Sequence, residues 1–214
     1  MASNIDLSLP SYFPGDLSCF GDKNWDNAAF ALYTLVELPQ NKLDALVTFL
    51  NEEEMKSQEY DPDAIYLVRV PPVYNFAGKS LKDILYAHSQ MDKEITPRPG
   101  GGGSATGDLG WYPSAFIVVT NIEWEKYGLL FVYADDTGLY KSDSDENGQV
   151  KTNPDMTQQG IPMDQFFFKP RDTEYVSTIL FNIRSGDMSC AETKQQDAIP
   201  WEEDQRPNAR GGVI

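Results

Sequence analysis

"SAFIVVTNIEWEKYGLLFVYAD", residues 114–135, holds two apolar runs, "SAFIVVTN" and "GLLFVYAD", on either side of the polar "IEWEKYG". Each run has the length of a strand, and its hydrophobicity is nearly continuous where a half-exposed strand would alternate. Both runs therefore read as strands buried on two faces. Such a sheet needs helices to cover it, so this stretch predicts an α/β (or α+β) fold. The polar connection fits a hairpin. Trp111, Trp124, Tyr127 and Tyr133 lie around the two runs and read as packing residues, with Trp111 or Trp124 available to a partner surface.

Upstream, the periods become helical. In "DKNWDNAAFALYTLVELP", residues 22–39, Trp25, Ala28, Ala29, Leu32, Leu35 and Val36 recur at spacings of three and four. This predicts a helix near 24–37, with Asp22 or Asn24 as its cap and Pro39 beyond its end. "NKLDALVTFLNEEEMKSQ" places Leu43, Leu46, Val47 and Leu50 on one face behind Asn41, which predicts a second helix near 41–57. "AIYLVRV", residues 64–70, is β-rich and is stopped by Pro71 and Pro72. Ser80 and Asp83 form a capping pair for a third helix near 80–93, whose Leu81, Ile84, Leu85 and His88 share a face. His88 is thus expected on an apolar face, as a satisfied residue and not a base.

Downstream, "IPMDQFFFKP" carries another strand signal. "EYVSTILFNIR", residues 174–184, offers helical spacing at Val176, Ile179, Leu180 and Ile183, but its β-branched and aromatic content favours a strand. The sum is a single domain over residues 12–186, with a central mixed β-sheet flanked by about three helices. Residues 1–11 read as an N-terminal extension, 97–110 as a flexible glycine-rich insertion, 141–160 as an acidic loop, and 187–214 as a polar C-terminal tail in which Trp201 could pin the chain to the body.

Two motifs invite a chemical reading. "PRPGGGGSATGDLGWYP", residues 97–113, is rich in glycine, but Gly107 is followed by Asp108 where a phosphate loop needs lysine, and the segment does not join a strand to a helix. It reads as slack chain. Asp143, Asp145 and Asn147, with Gly148 and Val150, match the first half of a calcium loop. Position twelve is Pro154 where a bidentate glutamate is required, and strand signals flank the segment. A polar loop is the better reading, with those three residues as the calcium candidates, and no cofactor is expected.

Composition limits the partners. Among 214 residues, 41% are hydrophobic, enough for a sizeable core, and the formal net charge is −16. That charge repels nucleic acid and anionic membrane surfaces, and no apolar run approaches the ~20 residues that span a bilayer. The start, "MASNIDLSLPSYFPGD", lacks a basic segment followed by an apolar one, so a cytoplasmic protein is expected. Cys19 and Cys190 read as reduced bystanders. Another protein remains as the partner class.

"FGDKNWDNAAFAL", "PPVYNFAGKSLKDILYA", the stretch 114–135, "IPMDQFFF" and "STILFNIRSGDM" together resemble, in order and character, the domain of unknown function 6924 family of small bacterial and fungal proteins. The resemblance spans most of residues 20–190 and implies a compact α/β domain. It brings no activity and no catalytic residues. Two functions follow from the residues: a noncatalytic binding or regulatory module, which is favoured, or a small-molecule enzyme whose candidates are His88, Asp135, Asp136, Asp172 and Glu174. A cleft joining His88 to two of those carboxylates would mark the enzyme. An aromatic-rimmed patch would mark the binder.

Overall fold

Residues 115–119 have no solvent exposure at all, and their side chains go alternately to two separate cores. Ala115, Ile117 and Val119 enter one cluster, Phe116 and Val118 the other. Burying Phe116, Ile117 and Val118 alone removes enough apolar surface to contribute about 1.5–3 kcal/mol each. Everything else is arranged to keep this strand dry. The structure is a computed structural model that describes residues 5–20, 23, 25, 28–57, 66–93, 109–135, 140–144, 150–152 and 160–200, with the side chains of 18, 54, 55, 57, 140–144 and 150–152 excepted.

The strands are β1 (Ala29–Thr34), β2 (Val68–Arg69), β3 (Trp111–Val119), β4 (Leu129–Ala134), β5 (Tyr140–Ser144), β6 (Val150–Thr152) and β7 (Met163–Phe168). The helices are α1 (Gln40–Ser57), α2 (Leu81–Gln90), the single turn α3 (Trp124–Tyr127), α4 (Thr173–Ser185) and α5 (Cys190–Asp197). Five strands form one mixed sheet in the order β2-β1-β3-β4-β7. β1 runs parallel to β2 and β3, whereas β4 is antiparallel to β3 and β7. The β3–β4 connection is the expected hairpin, with Phe116 opposite Val132. β5 and β6 pair antiparallel in a separate ribbon.

Three layers result, in a single α/β domain. Leu43, Leu46 and Leu50 of α1 and Val176, Ile179, Leu180 and Ile183 of α4 cover one face of the sheet. Leu81, Ile84 and Leu85 of α2 cover the other, together with Ile5, Leu7, Phe13 and Leu17 from the start of the chain. Residues 5–11, read from sequence as an extension, thus contribute two side chains to a core, and Asp6 O accepts from Leu81 N at 2.9 Å, satisfying a first-turn donor of α2. Among the described residues, no helix is long and apolar enough to cross a membrane.

Two expected elements change type. The helix predicted near 24–37 is the strand β1, all six residues of which are buried. A central strand covered on both faces has no polar positions to reveal a period of two, so "AAFALYTLV" matches helical spacing by default. The strand predicted within 174–184 is the helix α4. Asp172 Oδ1 accepts from Tyr175 N at 2.7 Å to cap its start, and Gly186 at φ 77° ends it in the left-handed conformation. Caps and one continuous apolar face outweigh β-propensity there. Of the strand expected over 64–70, residues 64 and 65 lie outside the described residues, and among 66–70 the regular part is Val68–Arg69. Within the span read as a polar tail, Ser189 and Glu192 form a capping box for α5.

An open sheet leaves outward-facing main-chain groups on both edges, and both are closed here. Phe30 N donates to Leu67 O at 2.8 Å, so the N–H and C=O of Val68 face away from β1. Asn51 of α1 takes both: Val68 N donates to its Oδ1 at 3.0 Å, and its Nδ2 donates to Val68 O at 2.9 Å. One carboxamide stands in for the peptide group of a missing strand. At the other edge, Phe13 N donates to Ile161 O, Met163 N to Ser11 O, and Ile199 N to Phe167 O.

The amide of Asn51 is 1% exposed, so replacing it leaves two buried main-chain groups unpaired. Asn51→Leu, which keeps the branched outline of the side chain but carries no polar atom, should lower unfolding free energy in urea by about 3 kcal/mol with an unchanged m-value. A loss below about 1 kcal/mol would show that the edge does not depend on this residue.

Candidate functional site

The sequence candidates do not converge. His88 sits on the buried face of α2 and is 0% exposed. Its Nε2 donates to Pro113 O at 3.2 Å, since a carbonyl can only accept, which leaves Nδ1 to accept from Tyr33 Oη at 3.0 Å. Phe116 lies against the ring at 4.7 Å. Proline 113 makes this contact available. It has no N–H for the ladder, the β1–β3 register shifts as β3 passes from Trp111 to Phe116, and its carbonyl goes to the imidazole. Both ring nitrogens are engaged, so His88 has no free lone pair to act as a base.

Beside it, Lys93 is 3% exposed, and its Nζ donates to His88 O and, at 3.0 Å, to Met91 O. The ammonium thereby caps the C-terminal end of α2. Its own carbonyl accepts from Gly110 N at 2.7 Å and Trp111 N at 3.3 Å, which holds the two ends of the 94–108 segment together. Burial, with the nearby Lys93 charge, holds His88 well below the usual histidine range. Burial likewise brings Lys93 down to about 8 and pushes Tyr33 up.

The acids lie elsewhere. Asp135 follows β4, and its N–H donates to Pro162 O beside the start of β7. Asp172 and Glu174 sit at the start of α4, beyond the opposite end of β7. Six strand residues separate the two places by roughly 17 Å. Asp172 is spent on capping. Asp136, Asp145 and Asn147 lie outside the described residues, as does most of the glycine-rich stretch, and of Asp143 the structure describes only the backbone, in β5. Asp143 therefore lies in a strand of a β-ribbon, where a calcium loop is flanked by helices. Among the described residues no group of three or more His, Cys, Asp or Glu is placed to hold a metal. Trp124 is buried against Phe49, and Trp111 lies under the guanidinium of Arg69 at 4.3 Å, so both tryptophans pack.

A groove that no sequence signal marked lies between α1 and the β2 edge, with a volume of about 520 Å³. Gln40, Leu43, Asp44, Val47, Thr48 and Asn51 line one wall, a stripe at helical spacing along ~16 Å of α1. Tyr66, Val70 and Tyr74 line the other. Leu43, Val68 and Asn51 are buried and form the floor, whereas Tyr66 is 43% exposed at the rim. Tyr74 Oη donates to Gln40 Oε1 at 3.5 Å, and Gln40 Nε2 to Asp44 Oδ1 at 2.8 Å. The floor is apolar and the rim is aromatic and polar, the arrangement of a binding cleft. Asn51 was the one legible trace: a polar residue beside Leu50 in the buried stripe of α1.

Comparison of the chain with protein-family models, with curated proteins and with solved structures gives no match in any of the three.

The buried pair makes a pH prediction with two opposite signs. Below about pH 6.5 the unfolded chain protonates its histidine and the folded chain does not, so stability should fall with acidification by up to about 1.4 kcal/mol per pH unit. Between about pH 8 and 10 the unfolded chain holds the Lys93 proton that the folded chain releases, so this group should add stability as pH rises. Urea titrations of the wild type, His88→Gln and Lys93→Met across pH 5–10 check this. The first variant should flatten the acid limb, and the second the alkaline one.

Proposed function

We infer that the chain is a noncatalytic binding module whose partner, another protein, occupies the groove between α1 and β2. The observation that carries this reading is the groove itself. Its buried apolar floor and tyrosine rim offer side-chain recognition, and its size lies within the ~300–1,000 Å³ usual for binding sites. The location of His88 supports the same reading, since its ring bonds a tyrosine and a proline carbonyl and packs against aromatic rings. A proton-transfer role would need a ring nitrogen open to a substrate, and Tyr33 and Pro113 O take both. The net charge of −16 supports a protein over nucleic acid or an anionic membrane surface. Cys19 and Cys190 are not joined in a disulfide, in keeping with action in the reducing cytoplasm.

Selection from a random twelve-residue phage-displayed library on the immobilised protein tests the assignment. Enriched peptides should lose binding to Val47→Glu, which puts a charge on the groove wall, and to Tyr66→Ser, which removes the exposed rim ring. Circular dichroism melts would show that both variants fold. Enriched peptides that bind both variants as well as the wild type would place the site elsewhere. No enrichment on the wild type would count against a peptide-binding module.

A further inference from the structure

Resting on the groove as the binding site, we propose that its occupant is a basic amphipathic helix of a partner protein, lying along α1 with apolar side chains in the groove and a lysine or arginine at Asp44.

Three observations select that occupant. The first is the plugged edge. An extended peptide usually binds beside a sheet by pairing its main chain with an edge strand. Here the outward N–H and C=O of Val68 are already bonded to Asn51. A strand laid in the groove would face that plug and leave its own main-chain groups against Leu43 and Val47. A helix satisfies its own main chain and needs only side-chain contacts. The second is shape. The lining stripe of α1 runs from Gln40 to Asn51, about three turns, which matches anchors at i, i+3 or i+4, and i+7 on a partner helix.

The third is charge. Asp44 accepts from Gln40 Nε2, and among the described residues it has no cationic partner. Among the described residues, the one cation lining the groove, Arg69, has its guanidinium over the Trp111 ring and bonded to Gly110 O. A basic segment therefore meets an unneutralised carboxylate at the rim, and the overall negative field of the chain speeds its approach.

Fluorescence anisotropy at 150 mM salt with labelled model peptides tests this. The probe is a fourteen-residue helix with leucines on one face and lysines on the other. Its controls are a glutamate-for-lysine version and a scrambled version of the same composition that has no apolar face. The basic helix should bind best. Its affinity should fall about tenfold or more in Val47→Glu and in Tyr66→Ser, and about threefold to fivefold in Asp44→Asn. It should change less than about twofold in Asp187→Asn, on the loop after α4, which controls for unspecific charge attraction. Equal binding of the acidic or scrambled peptide would overturn the occupant while leaving the groove as the site. Binding that Asp187→Asn weakens as much as Asp44→Asn would also overturn it, as unspecific attraction. Insensitivity to both groove variants would overturn occupant and groove together.

Discussion

Every main-chain group on the rim of an open sheet must find a partner, and that requirement organises this protein. The two edges are solved with different materials. At β2 a single side chain, Asn51, supplies both an acceptor and a donor to Val68. At β7 the chain uses its own backbone, residues 11–13 at one end and Ile199 at the other. Because Asn51 must reach the edge strand, α1 is held against β2 and not over the centre of the sheet. The groove is the space left where the helix meets so short a strand. One helix therefore serves both core and groove: its buried leucines hold the core while Asp44, Val47 and Thr48 on an adjoining stripe line the groove.

The interior shows the same economy at His88. A histidine among aromatic rings could have been a catalytic base with a depressed pKa. Here Tyr33 and the Pro113 carbonyl occupy both nitrogens, and the ladder irregularity that proline imposes is what frees the carbonyl. Lys93 then closes the end of the helix that carries the histidine. Burial of both groups costs stability that tertiary packing must offset. Its visible product is order at the base of the 94–108 segment, where Lys93 O binds Gly110 N and Trp111 N.

The sequence made the sheet legible where apolar runs were bounded by breakers. Residues 114–135 announce a buried hairpin, and the Ser80–Asp83 pair marks the start of α2. It misled where burial erased the pattern. Nothing between Ala28 and Val36 distinguishes an interior strand from an apolar helix, because no position there faces water. In 174–184 the opposite error arose: β-branched residues drew attention from Asp172 and Gly186, which fix the two ends of α4. His88 is placed on an apolar face by spacing alone, whereas Asn51 is not singled out. What spacing cannot give is the partner across the layer, Tyr33 for one and Val68 for the other. The groove depends on the approach of α1 to Tyr66 and Tyr74, residues separated by two prolines and lying on a wall with no period to read.

Closing β7 with both ends of the described chain sets an order of assembly. Leu7 O accepts from Gln165 Nε2 across 158 positions of sequence, and Ile199 arrives later still. During synthesis, Leu7 and residues 11–13 emerge before β7, the strand they close, is made. The far end of β7 in turn stays open until residue 199 has left the ribosome. Contacts of such separation form late because loop closure must precede them. The nascent domain thus passes through a stage with its central strands formed and one flank unguarded, the stage at which strand edges recruit neighbours and chaperones are most needed.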